Sequence, residues 1–121
     1  MKNIKFALIT GLIFFMSCRI DQNFEKEGWN EFKPNSEFFP SPQRDKMLKD
    51  LTENHKLVGL TIAELRKQVG EPDFYNRNLI GYTIIADYAY SIDTAVHTKN
   101  LYLTLSGDSV INSFKVEEHE K

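Results

Sequence analysis

The chain has 121 residues, with 15 Lys and Arg against 17 Asp and Glu and a hydrophobic content of 41%. That is enough for one ordinary folded domain and no more. The net charge of −2, without clustered Lys or Arg, argues against a nucleic-acid partner, and the single cysteine, Cys18, excludes an intrachain disulfide and a cysteine-rich zinc site.

Residues 1–17 read as a signal peptide. Lys2 and Lys5 make a positive start, and Phe6 to Met16 is an apolar run of 11 residues. A spanning helix needs about 20 apolar residues, so the run fits an export signal. Ser17 is small and Cys18 follows at once. This arrangement resembles a bacterial lipoprotein signal, in which cleavage falls just before a cysteine that receives the lipid. Ser17 matches that pattern, whereas Phe15 stands where Leu is usual. The resemblance implies fatty acyl groups such as palmitate on Cys18 and an anchor in the bacterial envelope. Each buried lipid CH₂ contributes about 0.8 kcal/mol, so several chains hold a small domain firmly. Removing the leader leaves 13 basic side chains against 17 acidic, a balance of −4.

Residues 18–40 read as a tether. They hold no sustained period, and three of the four prolines (Pro34, Pro40, Pro42) fall in or beside them. Aromatics are scattered through the stretch. Phe38 and Phe39 are expected to strap back onto the domain. For Phe24, Trp29 and Phe32 two readings stand open: packing on the domain, or a partner-binding or membrane-surface role led by Trp29.

Residues 41–117 read as the folded unit. Ser41-Pro42 is a helix start. The segment from Gln43 to Asn54 carries Met47, Leu48 and Leu51 on one face, with Arg44, Asp45, Lys46, Lys49, Asp50 and Glu53 on the rest. A second helix follows Thr61. Thr61 and Glu64 have the spacing of a capping box, and Leu60 and Leu65 that of a hydrophobic staple. Ile62, Leu65 and Val69 form an apolar stripe. Gly70 and Pro72 stop the helix. The period then becomes two. One strand runs from Leu79 to about Tyr88, and Ser91 to Asn100 reads as a loop. A second strand runs from Leu101 to Leu105, a turn spans Ser106 to Ser109, and a third strand runs from Val110 to Glu117. Residues 118–121 read as a frayed charged tail. The expected fold class is α+β: two N-terminal helices packed on a three-stranded antiparallel meander, in two layers.

The segment Gly59, Thr61, Glu64, Leu65, Val69, Gly70, Pro72, before a meander and after a lipoprotein-type leader, resembles the SmpA/OmlA (BamE-like) outer-membrane lipoproteins. The resemblance covers about residues 44–117. It implies an accessory in outer-membrane assembly or envelope integrity, and it carries over no binding residue.

No hydrolase elbow, phosphate loop, zinc-protease or calcium-loop motif is present. His55, His97 and His119 read as solvated surface groups, and Asp87, Asp93 and Asp108 as loop ends. Tyr82 and Tyr88 share the apolar phase of the first strand. Tyr102 takes the opposite phase from the leucines, which makes it a candidate partner contact beside Ser113 and Lys115. The sequence thus predicts no enzyme, no cofactor and no metal. It predicts an exported protein, lipid-anchored through Cys18 in the bacterial envelope, with the outer membrane as the expected place, and with a small protein-binding domain. The rival is a secreted or tethered small-ligand-binding or inhibitor-like domain.

Overall fold

The structure is a computed structural model that describes residues 21–31, 40–88 and 96–120. The leader, Cys18, Phe32, Phe38, Phe39, Tyr90 and Asp93 lie outside the described residues. Three short helices precede four strands: α1 (Lys26–Trp29), α2 (Arg44–Asn54), α3 (Ile62–Gln68), β1 (Phe74–Asn76), β2 (Leu79–Asp87), β3 (His97–Leu105) and β4 (Ile111–Glu120). The strands form one antiparallel sheet in the order β1-β2-β3-β4. This corrects the expected arrangement of two helices on a three-stranded meander. Two elements are added to the expected count: a strand, β1, at the sheet edge, and a helical turn, α1, in the stretch read as tether.

Helix α3 forms for the reasons its sequence states. The Glu64 amide donates to Thr61 Oγ1 at 3.1 Å and the Thr61 amide donates to Glu64 Oε1 at 2.9 Å, closing the capping box. Gly70 takes φ +126°, a conformation open chiefly to glycine, and donates to the Leu65 carbonyl. Leu65 is fully buried and Val69 nearly so, whereas Ile62 stays at the core margin. Leu65→Asp would place an unpaired charge in that core. We expect it to abolish the cooperative thermal transition, as followed by circular dichroism; an unchanged melt would refute the packing of α3 on the sheet.

Helix α2 starts one turn of chain after Ser41. Ser41 Oγ donates to the Gly28 carbonyl at 2.7 Å and accepts from the Gln43 amide at 3.2 Å, so it ties α1 to the start of α2. Met47, Leu48 and Leu51 enter the core as their spacing predicts. Arg44 departs from expectation: its place on the polar face is overturned by complete burial.

The core joins these helices to one face of the sheet, through Ile80, Tyr82 and Ile84 of β2, Leu101, Leu103 and Leu105 of β3, and Ile111 of β4. Ile84 turns inward in phase with Ile80 and Tyr82, and the register shift between Thr83 and Ile85 lets Ile85 pack against the core as well. Strands β1 and β2 are joined by the two residues Arg77-Asn78, with Arg77 at φ 59°. Strand β3 begins at His97, inside the stretch read as loop, and β4 continues to Glu120, through most of the expected tail. The charges explain both extensions. His97 pairs across the sheet with Glu120, and Lys99 with Glu118, so polar side chains match along the ladder.

Residues 21–31 lie on the domain. The Gln22 amide donates to the Lys46 carbonyl at 2.8 Å and the Phe24 amide to Asp50 Oδ2 at 2.7 Å. Trp29 is fully buried, edge-on to Phe24 and to Tyr82, with ring centroids 5.6 Å apart in both pairs. Of the two readings of Phe24 and Trp29, the structure therefore takes packing on the domain.

The Phe24 amide, then Asn54 and His55, hold the Asp50 carboxyl below the usual carboxylate range. A carboxyl whose value is lowered on folding adds stability above its unfolded value and loses it as pH falls through the folded one. Acidification below about pH 4 should therefore loosen Phe24 from the only tryptophan and shift its emission. In Asp50→Asn that acid step should disappear from the fluorescence titration.

Candidate functional site

The two edges of the sheet are treated differently. Beyond β1, the backbone of Thr83 on the edge of β2 is held by side chains. Arg44 Nη1 donates to the Thr83 carbonyl at 2.8 Å, and the Thr83 amide donates to Asp73 Oδ2 at 2.8 Å. Arg44 Nη1 and Asp73 Oδ2 meet at 2.5 Å, so a charge pair occupies the place of a further strand. Arg44 Nε also donates to the Trp29 carbonyl at 2.7 Å, and the guanidinium carbon lies 5.1 Å from the Trp29 ring and 5.7 Å from the Tyr82 ring. The Tyr82 hydroxyl donates to the Gly70 carbonyl at 2.7 Å, and burial pushes its phenol far up from the ordinary value.

The β4 edge is covered only at its start. The Ile111 amide donates to the Leu60 carbonyl at 2.9 Å and the Ile111 carbonyl accepts from the Gly59 amide at 2.7 Å, with Thr61 bridged to Val110. Among the described residues, nothing pairs with the outer side of β4 beyond that point. Phe114 and Val116 lie opposite Leu103 and Leu101, on the helix-bearing face, yet remain 36% and 40% exposed. The helical cover of that face reaches Ile111 and stops short of Phe114 and Val116. Phe114 and Val116 form an apolar strip on an open strand edge, the arrangement that invites pairing with another chain.

On the opposite face, Lys115 and Glu117 pair at 2.9 Å, which holds the lysine up and the glutamate down from their ordinary values. Tyr102 lies opposite Lys115, as the strand phase predicts. It is half-buried, 5.6 Å from the Phe74 ring, with Lys115 Nζ 5.9 Å from its own. Its face beside Lys115 borders the open edge, whereas Trp29, the other proposed partner contact, is enclosed in the core.

Three other groupings were candidates for chemistry. His97, Glu118 and Glu120 bring one ring nitrogen and two carboxylate oxygens within 4.8 Å of one another. His97 Nε2 lies 2.7 Å from Glu118 and 3.6 Å from Glu120, and Lys99 also faces Glu118 at 4.0 Å. This mutual pairing accounts for the group without an ion. Sequence spacing hid it, because only the β3–β4 register brings the three together. Arg66, Glu71 and Tyr75 form an exposed hydrogen-bonded cluster at the α3–β1 corner. An open groove lined by Pro40, Pro42, Asp45, Ile84, Ile85 and Ala86 has one ionisable side chain, Asp45, already paired with Lys99 at 2.7 Å. His55 and His119 remain exposed, as expected.

Comparison with family models, with curated proteins and with solved structures finds no match for this chain. Among the described residues, no helix is long and apolar enough to cross a membrane.

Proposed function

We propose that this chain is a lipid-anchored cell-envelope protein, held through Cys18, whose domain binds another protein along the outer side of β4. The observation that carries the binding reading is the contrast between the edges. Arg44 and Asp73 take up the outward backbone groups of Thr83 on β2, whereas β4 leaves Phe114 and Val116 exposed beside backbone that no described residue pairs. The anchor rests on the leader and on the place of the lone cysteine directly after Ser17. The outer membrane, and a role in its assembly or integrity, come from the SmpA/OmlA resemblance. The residues behind that resemblance include Gly59, Thr61, Glu64 and Gly70, which hold the ends of α3. They support the helix they punctuate and name no partner.

Two readouts on one preparation test the proposal. Cells fed an alkynyl fatty acid should label the wild type and not Cys18→Ser. A photo-crosslinking amino acid at Phe114 should give a discrete adduct that the same group at Lys67, on α3, does not. Absence of label would remove the anchor, and equal adducts at both positions would remove the β4 site.

A further inference from the structure

The partner of β4 can be specified further, on the reading that β4 is the binding edge. Backbone direction comes first. The Leu105 amide donates to the Asn78 carbonyl, toward β2, and both backbone groups of Ile111 point to Gly59 and Leu60. Leu105 and Ile111 are therefore opposed without bonding each other. Antiparallel pairs alternate between bonded and unbonded. After the register shift at Leu105, Ser113, Lys115, Glu117 and His119 bond inward to β3. Phe114, Val116, Glu118 and Glu120 then direct their amides and carbonyls outward. An incoming strand has the stretch from Asn112 to Glu120 available, because Gly59 to Thr61 occupy the edge at Val110 and Ile111.

We propose that the occupant is a second copy of this chain, paired antiparallel through β4 about a two-fold axis at Val116. The charges select that register. An axis at Lys115 would set lysine opposite lysine, and axes at Glu117 or Glu118 would set glutamate opposite glutamate. An axis at Phe114 would drive Glu117 of the second copy against Ile111, where Gly59 and Leu60 already sit. The axis at Val116 places Lys115 opposite Glu117 of the second copy, twice. It also places Glu120 of the second copy opposite Asn112, clear of the covered stretch. Opposite charges facing across strands stabilise the pair and like charges oppose it. On the other face, Val116 meets Val116, and both Phe114 rings lie diagonal to the valines, within aromatic reach. The exposed strip becomes continuous across the axis, and the two sheets join into one of eight strands.

Disulfide trapping in the full-length chain, in membranes under mild oxidation, tests this. At the axis, Val116 is a bonded pair with Cα atoms about 5.5 Å apart, inside the range a disulfide spans. Two copies of Phe114 would stand about 13 Å apart, four residues of strand rise. Val116→Cys should give a covalent dimer, while Phe114→Cys and the wild type should not. Adding Lys115→Glu should cut the dimer about tenfold, and adding Glu117→Lys to that variant should restore it. A monomeric Val116→Cys with native tryptophan emission would overturn the proposal, as would equal trapping at Phe114. Fatty-acid labelling of the same samples reports on the anchor separately. An adduct at Phe114 to a polypeptide of different mass, with no trapping at Val116, would keep the binding edge and remove the second copy.

Discussion

Arg44→Met should lower the melting temperature of this domain by about 12–24 °C. The side chain is fully buried and bonds the Trp29 carbonyl, the Thr83 carbonyl and Asp73 at once. Methionine fills much of the same volume and makes none of those bonds. Removing one member of a buried pair costs about 3–5 kcal/mol, because the other is left uncompensated. Asp73 is 28% exposed, so water relieves part of its loss and the low end of that range applies. For a domain of this size, each kcal/mol moves the melting temperature by about 4–8 °C. Total stability is only about 5–15 kcal/mol, so the loss is a large share of it. Arg44→Lys should also destabilise, since an ammonium cannot present the planar fork that reaches three acceptors. A circular-dichroism melt of Arg44→Met within about 2 °C of wild type would show that the charge pair does not hold the edge of β2.

Trp29→Ala should cost about 3–5 kcal/mol, the usual range for emptying a buried tryptophan site. The ring is fully buried against Phe24, Tyr82 and the Arg44 guanidinium, so its removal empties a packed site. Denaturant unfolding followed by far-ultraviolet dichroism measures the loss without needing the missing fluorophore. Because Arg44 both bonds the Trp29 carbonyl and stacks on the ring, the two substitutions should not add. The double variant should lose at least about 0.5 kcal/mol less than the sum of the singles, the scale of coupling between residues in contact. Strict additivity would mean that the two side chains act independently.

What the sequence made legible is what depends on neighbours in the chain. The ends of α3 are set by Thr61, Glu64 and Gly70 within ten residues, and the structure keeps them. Met47, Leu48 and Leu51 are likewise buried as their helical spacing says. Misreadings arise where distant residues decide. Arg44 looks like a surface arginine until Trp29 and Asp73 are brought beside it. Strand β1 was hidden because its turn places Arg77, not glycine or asparagine, in a left-handed conformation. His97 to Asn100 looked too polar for a strand, and their partners Glu117 to Glu120 lie across the sheet. The candidate edge was illegible for the same reason. Phe114 and Val116 carry the apolar phase of a core strand, and only the reach of the helices leaves them bare.

The bond from the Gln22 amide to the Lys46 carbonyl has a geometric consequence for an anchor at Cys18. Four residues of fully extended chain span at most about 14 Å. If Cys18 carries the lipid, a domain held that closely would ride at the lipid headgroups and sweep little of the space beyond them. Its encounters with a second anchored copy would then be confined to two dimensions, and crowding within that plane, rather than bulk concentration, would set how often the two meet.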